Sequence, residues 1–143
     1  MLKGVPKILS PELLKVLCEM GHGDEIVIAD ANFPSENYGR KVIRADGING
    51  VDMLKSILTL IPLDTYVETN MILMQLAKCD EGVVDVPIWE EYKSIAESMD
   101  TNVRLGYIER FDFYERAKNA YAVIATGEEA IYANIILKKG VIK

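Results

Sequence analysis

The stretch Glu19–Pro34, "EMGHGDEIVIADANFP", contains the segment that decides the fold. Within it, Glu25–Ala29 ("EIVIA") is a short and nearly unbroken apolar run. A strand with one wet face alternates apolar and polar residues, whereas an unbroken run belongs to a strand buried on both faces. Such a strand needs helices packed above and below it.

The flanking sequence supplies them. Upstream, Ser10 is an N-cap, Pro11 takes the first helical position, and Leu13, Leu14, Leu17 and Met20 line one face. Gly21 is then the expected left-handed stop of this helix. Downstream, "DANFPSENYG" reads as loop and "KVIR" as a second strand. After "ADGING", the residues Val51, Leu54, Leu58 and Ile61 mark a second amphipathic helix. Met71–Ala77 ("MILMQLA") reads as a strand, Ile88, Tyr92, Ile95 and Met99 as a third helical stripe, and "NVRLGYI" as another strand. Asp112-Phe113-Tyr114-Glu115 has the form of a capping box with Asp in the place of Ser, which predicts a helix from there to about Ala120. "YAVIAT" and "NIILKK" end the pattern as two strands. Helices alternating with apolar strands predict one α/β domain over residues 1–143, its sheet covered on both faces.

Composition narrows the function. Of 143 residues, 50% are hydrophobic and 27% charged, the balance of a folded chain with a sizeable core. The net charge of −6, with no basic block longer than Lys138-Lys139, argues against nucleic acid or an anionic membrane as partner. Cys18 and Cys79 are isolated and form no CxxC pair, and there is one histidine, so no metal-ligand pattern appears. The N-terminal "MLKGVP" has no apolar signal region and no segment reaches membrane-spanning length, so the expected location is the cytoplasm, with both thiols reduced.

That one histidine, His22, lies between two glycines in the loop between the first helix and "EIVIA". The glycines let backbone and ligand approach closely, and an imidazole can donate or accept a proton at neutral pH. From the residues alone, His22 is either a general acid–base group or an incidental exposed imidazole. Asp30 sits at the far end of the apolar run, where ligand-binding loops collect in α/β sheets, or simply bonds to its own loop backbone. Asp24 either orients the imidazole or forms the turn. Arg110 precedes the expected cap of its helix and is, by itself, an ordinary surface arginine. In "TGEEAIYANIIL", Tyr132 and Asn134 stand at the mouth of a strand with the hydroxyl and amide that a hydroxyl-rich ligand needs.

Taken together, "MGHGDEIVIADANFP", "VIRADG", "RFDFYERA" and "TGEEAIYANIILKKGV" resemble the fucose mutarotase/ribose pyranase family, of the RbsD/FucU type, over essentially the whole chain. The arginine in "ERFDFYERA" points to the fucose branch. The resemblance implies a three-layer α/β/α domain around a mixed sheet. The implied activity interconverts the anomers of a free monosaccharide, L-fucose in this branch, with neither metal nor cofactor. It also implies that His22 is the proton donor and that Asp30, Arg110 and Tyr132-Ala133-Asn134 contact the sugar. Bacterial members form ring-like decamers with pockets near subunit contacts, which implies a homo-oligomer here. The segment from Asp64 to Asp100 carries no motif assigned to the family.

Spacing adds a constraint. An extended Glu25–Ala29 separates its ends by roughly 15 Å, too far for one monosaccharide to touch both His22 and Asp30 along a straight strand. Either the loops curl together or neighbouring subunits share a site. Three other readings differ in chemistry: a D-ribose pyranase, a non-catalytic sugar-binding module, and a phosphocarrier using His22. The last is disfavoured because Asp24 and Glu25, rather than cations, follow the histidine.

Overall fold

In a computed structural model describing residues 1–143, "EIVIA" forms β1 (Glu25–Ala29), and its side chains divide between two cores. Ile26 and Ile28 point into one with Leu13, Leu54 and Tyr92, while Val27 and Ala29 point into the other with Phe33, Phe113 and Ala117. An unbroken apolar run is the consequence of a strand that must satisfy two cores at once. Each fully buried Ile or Leu contributes about 1.5–3 kcal/mol relative to exposure.

Five further strands are β2 (Val42–Ala45), β3 (Met71–Met74), β4 (Leu105–Ile108), β5 (Ala122–Thr126) and β6 (Ile135–Lys138). The sheet order is β2-β5-β1-β6-β3-β4. Its pairings are parallel except those of β6, which runs antiparallel to both β1 and β3. The carboxyl ends of the five parallel strands and the amino end of β6 therefore share one edge of the sheet. Three helices cover the first core: α1 (Pro11–Glu19), α3 (Gly50–Leu58) and α4 (Ile88–Met99). Two cover the second: α2 (Ser35–Tyr38) and α5 (Arg110–Asn119). This is the expected three-layer α/β/α arrangement around a mixed sheet. No helix is long and apolar enough to cross a membrane.

Local signals held where side chains cap or pack directly. Ser10 Oγ accepts from the Leu13 N–H at 3.1 Å, with Pro11 opening α1. Four expectations are corrected. Gly21 is not the left-handed stop: α1 ends in Met20, buried and already extended, and the chain turns at Gly23 with φ +86°. The stretch read as loop contains α2. Asp112 is not the cap of α5, because β4 stops at Ile108 and the helix begins two residues later. Glu109 caps it instead, its carboxylate accepting from the N–H groups of Phe111 at 2.8 Å and Asp112 at 3.3 Å. β3 is also shorter than expected and ends at Met74.

Candidate active site

Four of the candidate residues meet at the carboxyl edge of the sheet. Asp30 follows β1, Arg110 follows β4, and Tyr132 and Asn134 precede β6. Because β6 is inserted antiparallel between β1 and β3, its amino end is delivered beside the carboxyl ends of both. That reversal of strand direction opens a crevice of the kind in which α/β sheets bind ligands. The resulting cavity of about 150 Å³ is lined by all four residues together with Asn32, Phe33, Met74, Tyr114 and Ile131. It is smaller than pockets that hold drug-sized molecules and suits a single small ring.

Asp30 is buried, and two side-chain bonds clamp it to Asn134. The Asp30 N–H donates to Asn134 Oδ1 at 2.8 Å, and Asn134 Nδ2 donates to Asp30 Oδ2 at 2.8 Å. The Asn32 N–H donates to Asp30 Oδ1 at 3.0 Å. Burial pushes the carboxyl above the usual aspartate range, and the N–H donors around it offset only part of that rise. Asn134 is thus chiefly the clamp on Asp30. Ala133 is fully buried and does not line the cavity; its carbonyl accepts from the Tyr92 hydroxyl at 3.2 Å.

Tyr132 is the one non-glycine residue with a left-handed backbone, at φ +58°. Trp89 Nε1 donates to its carbonyl at 2.9 Å, and the Ala77 N–H donates to its hydroxyl oxygen at 3.2 Å. Such a conformation costs of order 1–3 kcal/mol and persists only where surrounding contacts enforce it. Arg110 opens α5, an exposed cation at the positive end of the helix dipole, where a charge of its sign is disfavoured. It makes no ion pair, and its guanidinium lies over the Phe111 and Tyr114 rings at 4.7 and 5.8 Å. Its donors are left for a ligand.

Tyr114 was missed in the sequence, yet it lies one helical turn beyond Arg110, and the (i, i+4) rule would have found it. Burial pushes its hydroxyl above the ordinary tyrosine range. Phe33, Met74 and Ile131 come from a loop, a strand end and a turn, and no periodicity marks them.

His22 is not in this pocket. It precedes β1 at the opposite edge, half exposed, with Nε2 3.0 Å from Asp64 Oδ1. Asp64 is buried and also accepts from the Tyr66 N–H at 3.0 Å. That N–H first, and the bond to His22 after it, hold the Asp64 carboxyl below the usual range despite burial. Asp24 takes the other role left open for it: its Oδ2 accepts from the Gly21 N–H at 2.7 Å and builds the turn. The carboxylate that orients the imidazole lies 42 residues away, in the segment with no recognisable motif.

Aromatic and aliphatic walls, a buried carboxylate and an arginine outside any ion pair thus line one small pocket. The chain belongs to the RbsD / FucU transport protein family, whose model matches residues 3–142. It is 54% identical over 143 residues to the fucose mutarotase of Mus musculus, covering 97% of this chain and 94% of that one. Its fold is similar to that of the fucose mutarotase from Streptococcus pneumoniae solved in complex with L-fucose, with TM-score 0.92 and 51% identity over 99% of this chain and 100% of that one. Bacillus subtilis RbsD, solved with D-ribose, is more distant, with TM-score 0.71 and 27% identity over 100% of both chains.

Proposed function

We propose that residues 1–143 act as one L-fucose mutarotase domain, an isomerase that interconverts the two anomers by opening and reclosing the sugar ring without a cofactor. One observation carries this reading. Asp30, Arg110, Tyr132 and Asn134 converge on one small pocket in a chain 51% identical to a fucose mutarotase solved with L-fucose bound.

Ring opening breaks the bond between the anomeric carbon and the ring oxygen. The anomeric hydroxyl loses a proton and the ring oxygen gains one. The reaction already runs in water, so positioned acid–base groups, worth about 10²–10⁴-fold, are enough. In this reading His22 protonates the ring oxygen and the Tyr132 hydroxyl receives the anomeric proton. Asp30 accepts from sugar hydroxyls, Asn134 keeps that carboxylate in place, and Arg110 donates to the oxygen that becomes a carbonyl. Asp64 holds the imidazole by Nε2 and leaves Nδ1 to face the sugar.

His22 would reach the pocket from a second copy of the chain. The length of β1, roughly 15 Å, lies between the two edges. Large apolar side chains are exposed at both: Tyr66 (66%) beside His22, and Phe111 (60%) and Ile131 (47%) around the pocket. Exposed apolar groups in such positions suit burial against another subunit. We take the assembly to be the decamer that the family resemblance implies, which light scattering after gel filtration tests. Cys18 and Cys79 are free and exposed, which suits a reducing cytoplasm.

Saturation-transfer NMR on L-fucose and D-ribose tests the function. Catalysed exchange between L-fucose anomers supports it. Ribose pyranose–furanose exchange without an effect on fucose would move the assignment to the other branch, and fucose binding without exchange would reduce the protein to a sugar-binding module.

A further inference from the structure

Tyr132 is better equipped than a sugar-contacting hydroxyl needs to be. Its hydroxyl proton is directed away from the ligand, to Asp80 Oδ2. The Ala77 N–H occupies one lone pair of the oxygen, so the remaining one is free for the pocket that Tyr132 lines. Asp80 is part-buried, makes no ion pair, and has the Tyr132 hydroxyl as its one side-chain hydrogen-bond partner. Its backbone is pinned, with its carbonyl accepting from the N–H groups of Val83 at 3.1 Å and Val84 at 2.9 Å. The left-handed backbone of Tyr132 is held by the Trp89 Nε1 bond to its carbonyl, and the Ala77 and Asp80 contacts fix the far end of the same side chain.

We propose that Asp80 is a positioning residue and terminal proton acceptor for the ring-opening step, acting on the sugar only through Tyr132. The inference rests on the mutarotase reading above. As the anomeric O–H bond breaks, its proton moves to Tyr132 Oη while the Tyr132 proton passes to Asp80 Oδ2. The electron pair of that O–H bond forms the carbonyl, and the carbon–ring-oxygen bond breaks. The ring oxygen keeps the pair and takes a proton from the His22 imidazolium. Asp80 ends protonated, His22 neutral and the open-chain sugar neutral. Reclosure on the other face runs the same transfers backwards.

Asp80→Asn discriminates between relay and tether, because the amide oxygen still accepts from the Tyr132 hydroxyl but no longer takes its proton. In NMR exchange kinetics at varied L-fucose concentration, kcat should fall on the order of 10²-fold with KM nearly unchanged. Tyr132→Phe should cost about as much, and the double variant no more than either alone. An unchanged kcat in Asp80→Asn, an effect confined to KM, or losses that multiply in the double variant would overturn the relay. L-Fucose binding by titration calorimetry reports whether each variant is folded. A proton inventory in mixed H₂O and D₂O needs no variant: a curved plot accords with several protons in flight, and a straight line overturns the relay. Absence of wild-type exchange would remove the mutarotase reading itself. Wild-type exchange with unimpaired Asp80→Asn would remove the relay alone.

Discussion

Asp30 and Asn134, 104 residues apart, each donate one hydrogen bond to the other at 2.8 Å and so join the end of β1 to the start of β6. The pocket is built around this pair. Asn134→Ala removes both partners and leaves a buried N–H and a buried carboxylate under-satisfied. Urea unfolding should register a loss of about 1–3 kcal/mol, accompanied by slower anomer exchange.

His22 is half exposed but is a partner of the buried Asp64, so His22→Ala should leave the chain folded with a loss of no more than about 1–3 kcal/mol in urea unfolding. Exchange of L-fucose should nevertheless fall by about 10²–10⁴-fold. Unchanged exchange would reject His22 as the proton donor.

The shared site has its own test. His22→Ala and Asp30→Ala chains should each be nearly inactive. Unfolding them together and refolding the mixture should restore part of the activity, because some interfaces would pair an intact His22 with an intact Asp30. No recovery from demonstrably mixed oligomers would confine the site to one chain.

Asp64 gives a pH prediction. Its folded pKa lies below the ordinary 3.8, so below that value the unfolded chain binds more protons at this site than the folded one. Its stabilising contribution is fully present above about pH 3.8 and is lost as pH falls through the lower folded value. The wild type should therefore lose its stability advantage over Asp64→Asn as pH drops from 5 to 2, as followed by urea titrations at about half-unit steps. Asp30, raised by burial, works in the opposite direction over its own titration.

Gly50 connects a helix to the site. A Cβ there would lie 1.9 Å from the hydroxyl of Tyr92, the side chain that holds the Ala133 carbonyl. Gly50→Ala should cost about 1–3 kcal/mol by overpacking. Moving Tyr92 should also shift the Tyr132–Asn134 segment, so L-fucose affinity should weaken in the same variant, measured by calorimetry.

Much of the fold was legible in the sequence because its causes are local. Ser10 and Pro11 begin α1 through contacts within one turn. The run "EIVIA" announces a strand between two cores, and the stripe from Ile88 to Met99 matches α4. The errors fell where a local pattern had two solutions. Glu109 and Asp112 can each cap α5, and the end of β4 chose the first. Gly21 and Gly23 can each make the turn, and burial of Met20 chose the second.

By itself, then, the sequence determined most of the elements and the chemical types of the site residues, since helix caps, apolar periods and side-chain pKa ranges are properties of a few neighbouring residues. Only the tertiary structure decided which of those residues meet. The antiparallel β6 between β1 and β3 carries Tyr132 and Asn134 to Asp30 and Arg110. The same sheet leaves His22 on its other edge with Asp64 for a partner. Contacts of that kind join residues 42 or 104 positions apart, and strand order, which no local signal encodes, sets them.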